Sequence, residues 1–440
     1  MDTLKTGCRE HLALSRRQLM AGTTSLALWC LLPKAAIAGT RDPRFLTIVL
    51  RGALDGLALA APVGDPDYVR LRGKLALPKD GAGAGLPLDG FFALNSAMPY
   101  LAGLYQKREA IIIHAVATPY RARSHFDGQD VLESGLPGVA ISETGWLNRA
   151  LSGMPDAGKT EGHKGLAMGA VVPLVMRGPA SVMSWTPKAN GLPLRENTVE
   201  RLMDLYAHTD TGLAKAFAEG LEIDRVATVS AQPAGAMAGA PMMTNAGPAA
   251  PKPAPAQPVA PAQPQPPRPF RDFIDTAEAA AKFMTTAGGP RIGALSFDGW
   301  DTHANEGVIT GQLANKFGGL DAAIKAFGEG MGPAWKDTAV LIVTEFGRTA
   351  RTNGTEGTDH GTGTVAILLG GAVKGGRVLA DWPGLSDANL YESRDLKPTR
   401  DLRTITKGIL RDHLGVPDGA LASSVFPDSA KVKGLDGLMA

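Results

Sequence analysis

Cysteine is almost missing from this chain: it occurs twice in 440 residues, as Cys8 and Cys30. Everything after residue 30 is without a thiol. That excludes a disulfide frame, a thiolate nucleophile and cysteine zinc ligands from that part of the protein. A surplus of charge is missing as well, since 45 Lys and Arg face 43 Asp and Glu. No basic stripe interleaved with aromatic residues is present, so nucleic-acid binding is not expected. Long apolar runs are also missing. The run at residues 21–32 is too short to span a bilayer and Pro33-Lys34 interrupts it.

What surrounds that run gives it a meaning. Ser15-Arg16-Arg17-Gln18-Leu19-Met20 is a twin-arginine pattern, and Ala35-Ala36-Ile37-Ala38-Gly39 supplies small residues for a cut at Ala38/Gly39. Residues 1–38 therefore read as a twin-arginine signal peptide, with an uncleaved anchor as the weaker alternative, and the expected location is the periplasm. Residues 1–38 hold both cysteines, five Lys or Arg and two Asp or Glu, so the mature chain would be thiol-free and near neutral. Its roughly 400 residues suffice for a sizeable core.

One composition break stands out. Residues 229–270 are almost all Ala, Pro, Gly, Gln and Met, as in APKPAPAQPVAPAQPQPPRP. Such a stretch has little apolar bulk to bury and is read as a disordered insertion within a single domain spanning 39–440. A linker between two domains is the other reading. Around it, continuous apolar strands are expected at 45–50 (FLTIVL), 110–116 (AIIIHAV), 291–297 (RIGALSF), 339–344 (AVLIVT) and 365–369 (VAILL). Helical patterns lie at 96–106, 128–134, 145–151, 196–219, 270–284, 309–327 and 401–414. Buried strands alternating with helices predict an α/β fold, a mostly parallel sheet sandwiched by helices. In such sheets ligands bind outside the carboxyl ends of the strands.

The residues that carry chemistry follow those strand ends. FDGWDTHANE (297–306) and TEFGRTARTNGTEGTDHG (344–361) place Asp298, Asp301, His303, Glu345, Asp359 and His360 in or beside glycine-rich turns. Carboxylates supply charge to a hard divalent cation, and imidazole adds a donor suited to zinc or manganese. Asp55 follows the first strand, in RGALDG. Ser124, in RSHFDGQD, precedes a helix. There its hydroxyl is either a nucleophile activated by a nearby cation or a plain helix cap with Asp127 beside it. Arg348 and Arg351 suit either an anionic substrate or ion pairs with Glu345 or Asp359. His114 reads as a core histidine, and His163 and His208 as solvated ones.

Taken together, the leader and the segments RGALDGL, RSHFDGQD, ETGWLNRAL, FDGWDTHANE, TEFGRT, TDHGTG and LGGAVKGGRV resemble the exported bacterial family catalogued as a domain of unknown function, DUF1501. That family is grouped with the alkaline phosphatase and sulfatase superfamily. The resemblance implies an alkaline phosphatase-like fold and a set of roles. Asp55 and the Asp359-His360 pair would bind one metal, Asp301 and His303 another, and Ser124 would be the nucleophile. Two departures stand out. Glu345 holds the place directly after a strand where the Asp-His pair usually lies, so Glu345 joins the expected metal ligands. No final histidine follows downstream; His413 lies in a helical pattern, and His125 is a weak substitute. Arg123, His125 and Arg348 are the expected substrate-binding residues.

The expected function is a periplasmic metal-dependent hydrolase of phosphate or sulfate esters. Its cofactor would be a divalent metal (zinc, manganese or calcium) and its substrate a small anionic ester. The alternative is a non-catalytic envelope binding or assembly protein that keeps the fold with a degenerate metal site and meets an exported partner. The export expectation is checked by fractionating cells that carry Arg16→Lys together with Arg17→Lys. The double variant is expected to stay in the cytoplasm, and normal periplasmic accumulation would refute the twin-arginine address.

Overall fold

The computed structural model describes residues 41–154, 165–169, 171–186, scattered residues between 199 and 221, and 268–440. Residues 1–38, where a signal peptide is expected, and all of the proline-rich stretch except its last residues, lie outside the described residues. Those last residues, 268–270, open a helix.

The architecture grows from β1 (Arg44–Arg51), whose residues are all buried except the last. Successive side chains of a strand point to opposite faces, and both faces of β1 are apolar. Leu46, Ile48 and Leu50 enter one hydrophobic cluster, Phe45 and Val49 another. The sheet must therefore be covered twice. The further strands are β2 (Ala110–Ala117), β3 (Gly165–Met168), β4 (Val182–Trp185), β5 (Ile292–Asp298), β6 (Thr338–Val343), β7 (Thr364–Leu369), β8 (Arg377–Leu379) and β9 (Arg400–Asp401). They form one nine-stranded sheet in the order β8-β2-β7-β6-β1-β5-β3-β4, with β9 also paired to β2. A small three-stranded sheet, made by Ala60–Ala61, Ala93–Leu94 and Leu86–Pro87, lies apart from it.

Among the described residues, six helices of eight or more residues flank the large sheet: α1 (Pro99–Gln106), α2 (His125–Ser134), α3 (Trp146–Gly153), α4 (Arg268–Thr285), α5 (Gln312–Met331) and α6 (Leu402–Asp412). Phe273 of α4 and Phe317, Leu320 and Phe327 of α5 pack with Leu46 and Ile48. Trp146 and Leu147 of α3, with Ile405 and Ile409 of α6, pack with Phe45 and Val49 on the other face. The fold is thus a mixed α/β fold with a mostly parallel central sheet flanked by helices. β3, β4, β8 and β9 were not anticipated from the sequence. They are short, and three of them are only partly buried, so they lack a strong apolar signal.

One strand breaks the parallel rule. β7 pairs antiparallel with both β2 and β6, whereas β1 is parallel to β5 and β6. An antiparallel return needs no crossover helix. The excursion 344–363 between β6 and β7 therefore stays at the carboxyl edge of β6, the edge where β1 and β5 also end.

His114, expected as a core residue, is fully buried in β2. Its Nε2 lies 2.9 Å from the carbonyl of Ala60, while its Nδ1 accepts from the Ala115 amide at 2.9 Å. Burial pushes its pKa down from 6.5 to about 4. Between those values the unfolded chain takes up a proton that the folded chain refuses. Stability is therefore expected to fall as pH drops from about 6.5 to 4, by up to about 3 kcal/mol from this group. Urea midpoints across that window for the wild type and His114→Gln check this. A wild-type slope no steeper than the variant's would contradict it.

Candidate metal centre

Three strand ends and one helix start build the centre. β1 ends in Arg51-Gly52-Ala53, with Gly52 at φ +116° and Ala53 at φ +64°. A side chain on Gly52 would lie 2.5 Å from the Asp301 amide nitrogen, so glycine lets the loop after β5 settle onto the end of β1. That loop is anchored by Trp300, whose amide donates to the Arg51 carbonyl at 3.0 Å and whose ring is fully buried. Asp301 and His303 follow it. β6 ends beside Thr344 and Glu345, and the return to β7 brings back Asp359 and His360. His125 is the first residue of α2.

Among the described residues, His125, Asp301 and His360 each aim one metal-ligating atom into a common space. The two Nε2 atoms are 3.0 Å apart. Asp301 approaches His125 Nε2 with Oδ2 at 3.3 Å and His360 Nε2 with Oδ1 at 3.2 Å. His303 adjoins the three, its Nε2 3.0 Å from Asp301 Oδ1 and 3.1 Å from His360 Nε2. Phe346 forms the floor, stacked on His125 at 5.1 Å between ring centres and tilted under His360 at 5.3 Å.

The other nitrogen of each imidazole is also engaged. His125 Nδ1 lies 2.8 Å from Glu345 Oε1, His360 Nδ1 3.0 Å from the Arg123 carbonyl, and His303 Nδ1 3.3 Å from Asp359 Oδ1. Each acceptor assigns the proton to Nδ1, which leaves the Nε2 lone pair pointing inward. Three lone pairs and a carboxylate then converge, and among the described residues the one donor to them is Arg348, which reaches Asp301 Oδ1 from the protein side. One proton could satisfy the His125–His360 contact, but a cation would satisfy all of them. A tetrahedral ion with bonds of about 2.0–2.1 Å has ligands about 3.3 Å apart; the two Nε2 atoms are 3.0 Å apart, each meets one of the two Asp301 oxygens at 3.2–3.3 Å, and one donor atom from each residue lies within 4.8 Å of the others. The donor set therefore fits a divalent metal. The side chains of His125, His360 and Asp301 keep 23%, 26% and 40% of their surface exposed. One side of the centre is thus open to solvent, as in sites that leave a coordination position for a reactant.

The electrostatics agree with this arrangement. Burial opposes ionisation of Glu345, but hydrogen bonds from His125, Gly52 and Thr344 outweigh it and its pKa is lowered. Burial also opposes ionisation of Asp301, and the Arg348 guanidinium, donating from Nη1 to Oδ1 at 2.6 Å, brings its pKa below the usual value. The hydrogen bond to Glu345 raises the pKa of His125, whereas burial lowers that of His360.

Several expected roles change. Asp55 stands outside the cluster. It caps the short helix Gly56–Leu59, accepting from the Leu57 and Ala58 amides at 3.0 and 3.1 Å, and it pairs with the fully buried Arg72. Glu345 supports His125 instead of adding its own oxygen to the three central donors, because Gly52, Gln129, Thr344 and His125 already occupy its carboxylate. Asp359 likewise backs His303 and accepts from Asn353. Arg123 turns its guanidinium to Asp395 and Glu392 and offers the centre only its carbonyl. Arg348 is buried against Asp301 and Thr358 and has no face left for a substrate. His125, expected to touch substrate, is one of the three central donors. Its place next to Ser124 was the sequence signal for it. Ser124 holds the cap position of α2, but its side chain makes no capping bond, and the Asp127 carboxylate accepts from the Tyr120 hydroxyl at 3.2 Å. His413 is buried with Nε2 2.9 Å from the Arg44 carbonyl, a packing role.

Comparison with known proteins adds a family. Residues 110–423 match the family described as Protein of unknown function (DUF1501). No curated protein matches the chain. Among solved structures, the chain is similar to Ps i-CgsB in complex with k-i-k-neocarrahexaose (11% identity, 90% of this chain and 77% of that one, TM-score 0.38). It is also similar to a Vibrio parahaemolyticus protein in the alkaline phosphatase superfamily (13%, 75% and 60%, TM-score 0.30). A third likeness is to the C-terminal periplasmic domain of EcEptC from Escherichia coli in complex with Zn (9%, 75% and 73%, TM-score 0.30).

The division between central donors and structural carboxylates has a direct test. His360→Ala is expected to remove a donor and abolish binding of Zn2+ in equilibrium dialysis, with little change in the melting of the metal-free protein. Asp55→Ala leaves Arg72 buried without its partner. It is expected to destabilise the fold by about 3–5 kcal/mol, while the folded protein still takes up the metal. Equal loss of metal in the two would overturn the division.

Proposed function

We propose that this chain, which belongs to the DUF1501 family of proteins of unknown function, is a metal-dependent hydrolase of phosphate or sulfate esters acting in the periplasm. The observation that carries this reading is the convergence of His125, His360 and Asp301 on one solvent-open point, each imidazole fixed by an acceptor behind it. A divalent ion bound there would polarise an ester oxygen or lower the pKa of an attacking hydroxyl. Two imidazoles and a carboxylate suit zinc or manganese. Calcium, expected from the sequence as a third choice, prefers six to eight oxygens, and iron(II) is the further metal that such a set takes.

The chain's own groups prepare the rest. Arg348 offsets the charge of Asp301 from the protein side, so the open side faces the substrate. The Ser124 hydroxyl, half-buried and not engaged in capping, sits next to His125 at the start of the ten-residue α2. There the helix dipole favours an anion, and Ser124 is the proposed nucleophile. A cleft of about 740 Å³ runs along the same helix, although His125, Asp301, His360 and Ser124 are not among its lining residues. Phe126, Gln129, Asp130 and Glu133, one face of α2, line it opposite Arg51 and Asp298. The size suits the body of a small ester.

The second reading, an envelope binding or assembly protein, draws support from one finding. Asp55, which the resemblance gave to a further metal ion, is committed to a helix cap and to Arg72. A one-metal centre serves recognition as well as catalysis.

Metal analysis of the purified mature protein, followed by a screen of phospho- and sulfo-esters, separates the two. The hydrolase reading expects one zinc, manganese or iron ion per chain, turnover that a chelator abolishes, and a Ser124→Ala protein that keeps its metal but not its activity. A metal-loaded protein that hydrolyses no ester would favour the envelope reading. Absence of any stoichiometric metal would sink the centre.

A further inference from the structure

The segment FDGWDTHANE ends in a carboxyl that the centre described above does not use. Glu306 is fully buried, and a buried carboxyl needs partners. Its partners are two threonine hydroxyls, one from each ligand-bearing loop. Thr302 donates to Oε1 at 2.8 Å and Thr358 to Oε2 at 3.2 Å. Thr302 lies between Asp301 and His303. Thr358 comes directly before Asp359 and His360, and its hydroxyl also accepts from Arg348 Nε at 3.0 Å, while Nη1 of the same guanidinium holds Asp301.

We propose that Glu306 is the positioning residue of the metal centre: its carboxyl ties the loop 301–306 to the loop 355–360 and so sets how closely Asp301 and His303 meet His360. The role depends on the metal-dependent reading of the site. Backbone bonds also join the loops: Asn305 to Thr355 at 2.9 Å, Glu306 to Glu356 at 2.9 Å and Thr358 to Thr302 at 3.3 Å. At the ligand end the Thr358–Thr302 bond is the longest of the three, and Asn353 Nδ2 and the Thr355 hydroxyl also hold the His303 carbonyl, at 2.9 and 2.7 Å. The Glu306 side chain closes that end. It reaches Thr302 and Thr358 at once, and through Thr358 and Arg348 it also fixes the ligand oxygen of Asp301. Such outer contacts typically govern metal affinity by about 10–100-fold. Burial, and then the charge of Asp55, push the Glu306 carboxyl up to about 8. Near neutral pH a glutamine is therefore a fair stand-in for its shape and bonding capacity, whereas an apolar side chain of similar length is not.

The test measures Zn2+ affinity by competition with a chromophoric chelator, together with the visible spectrum of the Co2+-loaded protein, which reports ligand geometry. Glu306→Met is expected to weaken Zn2+ binding by about 10–100-fold and to shift the cobalt bands, while Glu306→Gln stays close to wild type in both. Thr302→Val and Thr358→Val, which cut one tether each, should follow the methionine variant, and Thr302→Ser and Thr358→Ser should follow wild type. These four also decide the matter if Glu306→Met does not fold. Affinities and spectra unchanged in folded Glu306→Met, or in both valine variants, would overturn the positioning role and leave the centre standing. A wild-type protein that binds no Zn2+ or Co2+ would overturn both.

Discussion

The Glu345 carboxylate is the joint on which the centre depends. Four donors meet there, the Gly52 amide after β1, the Thr344 hydroxyl after β6, Gln129 on α2, and His125 Nδ1 at the start of α2. Three segments remote in sequence are fastened by one buried group. A buried carboxylate is costly without such partners, so its ionised state and the closure of the three segments support each other. Side chains elsewhere at the site vary in exposure, but this one is fully enclosed. The orientation of His125, and with it the central donor set, follows from that enclosure.

Much of this could be read from the residues. Strands such as FLTIVL and AIIIHAV announce themselves because both of their faces are apolar, and a two-faced strand belongs in the middle of a covered sheet. The convergence of Asp301, His303 and His360 was legible because all three follow strand ends. The strand-end rule failed for Asp55, which also follows a strand. Its fate was settled by Arg72, seventeen residues away, and by the amides of its own short helix. A carboxylate's sequence position does not disclose which cation will reach it first. The roles of Arg348 and Arg123 were hidden for the same reason, since a guanidinium near a turn looks alike whether it meets a substrate or a carboxylate of its own fold.

The fourteen-residue gap between Glu345 and Asp359 looked like a departure from the family pattern. The antiparallel direction of β7 accounts for it. A crossover would have carried the chain to the far edge of the sheet. The return instead keeps residues 344–363 on the near edge, and an isolated bridge between Arg348 and His360 folds the excursion onto itself. Glu345 and His360 then need not be neighbours in sequence to flank the same imidazole.

The donor atoms of the centre are nitrogen and oxygen throughout, and the chain beyond residue 30 has no cysteine. A thiolate centre is open to the stepwise oxidation of sulfur, through sulfenic to sulfonic acid, and sheds its ion as it climbs that ladder. Imidazole and carboxylate have no such ladder. Oxidation of ligand sulfur, the route by which a cysteine-ligated protein sheds its ion, is therefore closed to this centre.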